Sequence, residues 1–222
     1  MSDTQSNNKR IAKNTLYLYI RMIITTVVSL YTVRVVLDVL GAEDYGIYNV
    51  VGGIVVLFSF LNHAMNGATQ RFLSYEIGRN DDVMFQKTFS MSINCHAIMA
   101  VAIFVILETV GLWFLCTQMN IPDGRMYAAR WVYQFSIITF VINILRVPYN
   151  ASIISFERMS FYAYISIVEV LLNLAMVLML LLNMGIDKLI LYAGLKCFIS
   201  LLCLIVSYAV SYTHLTLPTN SL

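Results

Sequence analysis

Long, uninterrupted apolar runs constrain this chain more than any other feature. A helix needs about 20 mostly apolar residues to cross a bilayer, and six runs of that order occur, at residues 15–38, 46–68, 89–116, 127–147, 160–184 and 189–210. The runs are continuously apolar and do not alternate at a period of two, which is typical of helices and not of barrel strands. The sequence therefore predicts an all-α, polytopic membrane protein with six transmembrane helices.

The composition agrees with a bilayer as the solvent. Of the 222 residues, 59% are hydrophobic and 12% are charged, and the mean hydropathy is +0.76. Soluble domains carry roughly 25% charged residues, so too few polar groups remain here to cover a surface that faces water. A net charge of +2 without a basic cluster argues against a nucleic-acid partner.

The four cysteines make no CxxC or Cys/His spacing and lie in or beside apolar runs. We interpret them as small buried hydrophobic side chains, and we expect neither a metal nor a cofactor.

The first two apolar runs are joined by the short stretch VLGAED, residues 39–44. We predict a tight turn at the water interface, in which Gly41 and Gly46 supply backbone freedom. The acidic pair Glu43-Asp44 would mark the wet side of that turn.

The distribution of Lys and Arg predicts the orientation. With the N-terminus inside, the cytoplasmic segments, including a tail of residues 1–14, hold eight basic residues: Lys9, Arg10, Lys13, Arg71, Arg79, Lys87, Arg146 and Arg158. The outer segments hold three: Arg125, Arg130 and Lys188. The excess inside predicts a multi-pass protein with a cytoplasmic N-terminus.

The C-terminal stretch SYTHLTLPTNSL, residues 211–222, does not continue the preceding apolar pattern. It looks like translated sequencing-adapter read-through, which would make it a non-native tail. The alternative is a genuine short polar tail.

Polar residues recur on one face of each of the first two runs. Ionisable groups inside a membrane usually face a protein interior or a wet cavity. Those of the first run are Asn14, Tyr17, Arg21, Thr25, Ser29 and Thr32, and those of the second are Ser59, Asn62, His63, Asn66 and Gln70. Arg21 lies about 9 Å inside the first run, so it either faces a cavity or extends to the headgroups.

Three further ionisable residues lie deep in later runs: Glu108, Glu169 and Lys196. Glu108 must be protonated, paired or hydrated at its depth. Glu169 and Lys196 come to a similar depth on neighbouring antiparallel runs, so an ion pair between them is expected. That pair would be either structural or part of a transport pathway.

No set of residues typical of an active site is apparent. The chain lacks HExxH, GxSxG and P-loop motifs. It also has no large polar loop of the kind that a membrane-embedded transferase would need. We therefore expect a protein that is not an enzyme.

The first turn and the end of the second run carry a resemblance. Arg34, Leu40, Gly41, Tyr45 and Gly46 fit the pattern Arg…Leu-Gly-x-x-x-[Tyr/Phe]-Gly, and a small-residue segment from Asn66 runs into Arg71. In these features the chain resembles the polysaccharide (O-antigen type) flippases of the MOP exporter superfamily. The similarity covers roughly residues 9–210.

The resemblance implies the first six-helix lobe of a protein of twelve to fourteen helices in the bacterial inner membrane. Its cargo would be an undecaprenyl-pyrophosphate-linked oligosaccharide, flipped by alternating access beside membrane lipids, a polysaccharide polymerase or glycosyltransferases. Arg21 would hold the pyrophosphate, in a cavity shared with Thr25, Asn62, His63 and Asn66. Arg34 would be a gate or packing residue, and Glu108 or Glu169 would titrate in ion coupling.

Two alternatives stay open at this point. One is a multidrug or cation antiporter of the same superfamily, although the first run offers Arg21 and no acid in mid-span. The other is a non-catalytic membrane subunit of a polysaccharide assembly complex.

Overall fold

Every element of regular structure in the described part of the chain is helical. The structure, a computed structural model, describes the backbone of residues 2–119, 121–182, 185 and 187–215, with side chains except those of residues 2–7, 10, 123 and 212–215. The α-helices are α1 (Ser2–Val56), α2 (Ser59–Gly78), α3 (Asp82–Ile106), α4 (Leu112–Thr117), α5 (Met126–Ser155), α6 (Met159–Met179) and α7 (Lys188–Leu215). A π-helical segment, Leu107–Gly111, joins α3 to α4, and a 3₁₀ turn, Asp123–Arg125, precedes α5.

Five helices of the described residues are long and apolar enough to cross a membrane. They are Ile11–Val56, Asp82–Thr117, Met126–Ser155, Met159–Met179 and Lys188–Ser211. The all-α prediction is confirmed, but the predicted count of six is not reproduced by length and composition. The difference arises in the first two predicted runs, which do not separate into two such helices.

The helix α1 is broken at Gly41, as the predicted turn requires. Gly41 has φ 79° and ψ 166°, a conformation open to glycine but strained for residues with a Cβ. Ser29 and Tyr48 line the same cavity, whereas 19 residues of straight helix would separate them by about 28 Å. The chain therefore reverses at Gly41, and α1 consists of an incoming arm, residues 2–40, and a returning arm, residues 42–56.

The second predicted run, residues 46–68, is divided between the returning arm and α2. A turn at Leu57-Phe58 separates them, and α2 carries too many polar side chains to count as an apolar span. Gly46 is helical, so the turn uses the freedom of Gly41 and not that of Gly46.

The later boundaries also shift. Helix α5 extends to Ser155, eight residues beyond the predicted end at residue 147, because Pro148 is accommodated inside it. Helix α7 continues to Leu215, past the predicted start of the tail at residue 211. Residues 183 and 184 of the fifth predicted span, and residues 216–222 of the tail, lie outside the described residues.

The returning arm and α5 form the centre of the bundle. The largest apolar cluster joins Val51 of the returning arm to Leu107, Val132 and Tyr133, and a second cluster packs Val36 of the incoming arm against Val177 of α6. Large apolar side chains are exposed on the outside, among them Leu30, Leu57 and Ile98, each about 70% accessible. A surface this apolar is suited to lipid.

An ionic cluster ties three elements together at the end of the bundle where the chain reverses. The Arg125 guanidinium donates from Nη2 to Oδ2 of Asp44 at 2.6 Å and from Nη1 to Oδ2 of Asp187 at 2.7 Å. Asp187 also accepts from the backbone N–H of Leu189 and so caps α7. The acidic patch of the first turn thus has a structural partner, because a planar guanidinium can bridge two carboxylates.

The π-helical segment creates a tight contact between α3 and α5. Its i→i+5 pattern leaves the Leu107 carbonyl free to accept a second hydrogen bond, which the Tyr133 hydroxyl donates at 2.7 Å. Gly111 lies beside the same hydroxyl, and a Cβ at this position would overlap it. The glycine is therefore required by the close approach of a fully buried tyrosine.

We expect Gly111→Ala to lower the free energy of unfolding by about 1–3 kcal/mol, because the buried Tyr133 ring has no space into which to move. Tyr133→Phe removes the overlapping hydroxyl, so the double variant should lose less stability than the sum of the two single changes. Denaturant unfolding in detergent measures these differences.

The matched control is Gly194→Ala on α7. A Cβ there would meet the Phe135 ring at an ordinary contact distance of 3.6 Å, and the helix would gain propensity. Equal stability of the Gly111 and Gly194 variants would contradict the proposed overlap.

Candidate functional site

A polar stripe runs along one face of the central helix α5. Ser136, Thr139, Asn143, Arg146 and Asn150 recur every three or four residues, so they share one face of the helix. All five are half-buried. Helix α7 contacts the C-terminal part of the stripe, since the Ser207 hydroxyl donates a hydrogen bond to Oδ1 of Asn150 at 3.3 Å. The interior of the bundle is therefore polar along much of its length.

Arg146 and Glu169 form an ion pair within this interior. Nη1 lies 3.0 Å from Oε2, and the side chains are 17% and 26% exposed. The nitrogen is not aligned for a hydrogen bond, so the attraction is mainly between charges. Cys203 of α7 is close enough to interact with both side chains. Arg146, which the sequence analysis counted with the cytoplasmic segments, is partly buried within the helix bundle.

The expected ion pair between Glu169 and Lys196 is not formed. No carboxylate in the described residues lies within 4 Å of the Lys196 ammonium, although Glu169 is near enough to act on it electrostatically. Glu169 and Lys196 are near each other, but the Glu169 carboxylate contacts Arg146 and not Lys196. Lys196 is left as an interior cation without a contacting counter-charge.

Two cavities meet at Lys196. The first, of about 230 Å³, is lined among others by Asn49, Gly52, Thr139 and Asn143, and the second, of about 220 Å³, by Ser29, Tyr45, Asn173 and Tyr192. Lys196 and Tyr48 line both. The first lies between the returning arm, α5 and α7, and the second between both arms, α6 and α7.

The first cavity offers hydrogen-bond donors that are not already engaged. Within the described part of the chain, the Asn143 amide and the Thr139 and Tyr48 hydroxyls have no hydrogen-bond partner. Gly52 adds space, since a Cβ there would meet nothing within 4 Å. An uncompensated ammonium beside free amide and hydroxyl donors is an arrangement suited to an anion.

Arg21 lies away from this site, 20 residues before Gly41 on the incoming arm, which is about 30 Å along a helix. Its guanidinium stacks on the Tyr162 ring at 4.4 Å from the centroid, and its Nε is buried without a partner. The neighbouring Thr25 hydroxyl donates to the Arg21 carbonyl at 2.8 Å. Arg21 therefore has an aromatic partner, which the sequence alone did not reveal.

The three polar residues predicted on α2 do not join Arg21. Asn66 accepts from Gln70, the Asn62 carbonyl oxygen is buried without a partner, and His63 is exposed. No hydrogen bond, ion pair or ring contact among the described residues connects this group with Arg21. Arg21 and this group thus have separate partners among the described residues, and their shared cavity stays a prediction.

The remaining predicted residues are dispersed. Glu108, on the π-helical segment, accepts from Gln134 at 3.2 Å. Arg34 is exposed, and no ion pair joins it to a described residue. Tyr45 lines the second cavity. The residues that sequence reasoning missed are Asn143 and Arg146, although their three-and-four spacing along α5 was visible in the sequence.

Comparison with known proteins finds no matching family model, no matching curated protein and no matching solved structure.

Proposed function

We propose that this chain is a membrane-embedded transport lobe that binds the pyrophosphate of a lipid-linked oligosaccharide and helps to flip it between leaflets of the bacterial inner membrane. The observation that carries the proposal is Lys196, an interior cation without a contacting counter-charge that lines two cavities within apolar helices. A buried charge is costly unless a ligand or partner compensates it.

The cargo class follows from the groups around Lys196. The pyrophosphate of a lipid-linked oligosaccharide is esterified at both ends, so it is a compact dianion with several acceptor oxygens. It matches an ammonium combined with amide and hydroxyl donors. A cavity of about 230 Å³ exceeds the roughly 150 Å³ that accommodates benzene. Arg21, stacked on Tyr162 towards the other end of the bundle, is a second cation that such a headgroup would meet.

The transmembrane arrangement in this proposal has six crossings. The reversal at Gly41 allows the incoming arm to cross once and the returning arm with α2 to cross back. Gly41, Arg125 and Asp187 then lie at the outer face, and the basic residues around Arg79 and Arg158 lie at the cytoplasmic face with the N-terminus. This assignment agrees with the excess of basic residues inside.

The resemblance to the polysaccharide flippases supports the same cargo. In that reading the chain is a first lobe, and it works beside a polymerase or glycosyltransferases. Glu169, held by Arg146 and close to Lys196, is then the acid best placed for ion coupling. Glu108, held by a neutral glutamine, has no nearby cation among the described contacts.

Flipping of a fluorescent polyprenyl-pyrophosphate disaccharide in proteoliposomes tests the proposal, with dithionite reporting the leaflet. We expect the chain to accelerate loss of the protected fluorescence, and Gly52→Met, which fills the first cavity, to slow it at least fivefold. Gly67→Met is the matched control, because Gly67 is an exposed mid-helix glycine of α2 with open space around it.

The alternatives give different results in the same vesicles. A cation antiporter would exchange ethidium for protons across the vesicle membrane and would leave the lipid pyrophosphate in its original leaflet. Absence of lipid flipping together with equal behaviour of the two glycine variants would contradict the proposed function.

A further inference from the structure

A third cavity, between α2 and α3, is separate from the proposed transport site. It measures about 350 Å³ and is lined by residues 65–72 of α2 and 88–96 of α3, mainly apolar and sulfur-containing. Its chemically distinctive members are Met65, Phe72, Met91, Cys95 and His96. It shares no residue with either cavity at Lys196.

His96 supplies a buried polar atom at this cavity that lacks a partner. The residue is fully buried, and its Nδ1 lies 2.8 Å from the Ser92 carbonyl oxygen on its own helix. Because a carbonyl oxygen accepts but cannot donate, Nδ1 carries the proton, and Nε2 of the neutral ring is an acceptor. Within the described residues, Nε2 has no hydrogen-bond partner.

The nearby hydroxyls do not satisfy Nε2. Thr69 and Ser92 lie within hydrogen-bonding distance of each other at 3.3 Å, and the Ser92 hydroxyl approaches Nδ1, not Nε2. A buried acceptor left unpaired carries a large desolvation cost. A ligand in this cavity whose donor reaches Nε2 would remove that cost.

We propose that this cavity is a binding site for an aromatic ring that carries a hydroxyl group, with His96 Nε2 accepting from the hydroxyl. The volume is about twice the roughly 150 Å³ that holds one benzene ring, so a two-ring phenol fits. Thioethers such as those of Met65 and Met91 make favourable contacts with aromatic rings and adapt to their shape. The exposed side chains of Phe72 and Met91 at the rim place the entrance on the lipid-facing surface.

The same chemistry has two sources, a free phenol that has partitioned into the bilayer and the headgroup of a membrane quinol. Both present a flat ring with an O–H donor. For both the free phenol and the quinol, we expect the affinity to depend on the hydroxyl hydrogen of the ligand and on His96.

The test uses the full chain in detergent and compares 2-naphthol with 2-methoxynaphthalene, which has the same rings but no donor. We expect 2-naphthol to bind about tenfold more tightly, as measured by its fluorescence. His96→Leu should abolish that preference while the ether still binds. His63→Ala, which removes an exposed histidine of α2, is the matched control and should keep the preference.

A second variant tests the cavity independently, in case His96→Leu does not fold. Ala68 lies exposed at the cavity, so the ring introduced by Ala68→Phe can occupy the cavity from its surface side. This variant should weaken binding of both probes at least fivefold. Competition by a short-chain benzoquinol would identify the membrane quinol as the source, and competition by simple phenols alone would identify a free phenol. Equal affinity for the two naphthalenes, or a preference that survives His96→Leu, would overturn the proposal without affecting the site at Lys196.

Discussion

Replacement of Lys196 by glutamine is expected to weaken binding of a polyprenyl pyrophosphate by about 10- to 100-fold while leaving the folded state as stable as before, or more stable. The loss of affinity follows from removing a charge-assisted interaction of about 1.5–3 kcal/mol. The stability follows from the geometry, because Lys196 contacts no counter-charge among the described residues and its burial carries a desolvation cost. Binding is measured by titration in detergent, and stability by denaturant unfolding of the same preparations.

Lys188→Gln is the matched control, since it removes the same charge from the first residue of the same helix outside both cavities. Lys196→Arg should retain part of the affinity, because it keeps the charge but changes its shape. A neutral polyprenol with the same disaccharide should bind the wild type and the Lys196→Gln variant equally. Unchanged pyrophosphate affinity in Lys196→Gln would exclude Lys196 from the site, and a marked loss of stability would assign it a structural role.

The sequence predicted the fold class well because hydrophobic length is a local property. The described parts of the apolar runs are almost entirely helical, and the turn at Gly41 was located correctly because a glycine beside two acids interrupts the pattern within a few residues. The count of spans was less secure. Polar residues such as Asn62 and His63 lower the mean hydropathy of α2, so this helix is not apolar enough to count as a membrane span. The chain nevertheless reverses where the turn was predicted.

The site was harder to predict because position along a helix gives depth but not direction. Glu169 was predicted to be an interior residue that pairs with a cation, and both Arg146 and Lys196 lie near its carboxylate. The packing of α5 against α6 and α7 decides the choice, and it is not encoded in the spacing within any one helix. Arg146 was also counted with the cytoplasmic segments, at the end of the predicted span 127–147, although α5 continues for nine more residues.

Arg21 illustrates the same limit. Its polar arc on the incoming arm was recognised, but the ring of Tyr162 that receives it comes from a helix about 140 residues later in the chain. Periodicity cannot identify a partner at that separation. The role of Arg21 in holding pyrophosphate therefore stays a prediction, and Arg21→Ala tests it by loss of surface polysaccharide with normal membrane insertion.

The ion pair between Arg146 and Glu169 makes the second large prediction. Arg146→Met leaves the Glu169 carboxylate in the interior without its contacting cation, and Glu169→Gln leaves the Arg146 guanidinium without its contacting anion. Breaking a buried pair costs about 3–5 kcal/mol, and the partial exposure of both side chains reduces our expectation to about 2–4 kcal/mol for each single change. Denaturant unfolding in detergent measures both.

The double variant Arg146→Met with Glu169→Gln should recover most of that loss, because neither charge is then left without its partner. The coupling free energy from this cycle should exceed about 1 kcal/mol. The control cycle pairs Glu169→Gln with Lys196→Met, two residues that share electrostatic influence but no contact, and its coupling should be less than half as large. If the cycle with Lys196 showed the larger coupling, Glu169 would belong to Lys196, and the uncompensated cation on which the proposed anion site rests would no longer exist.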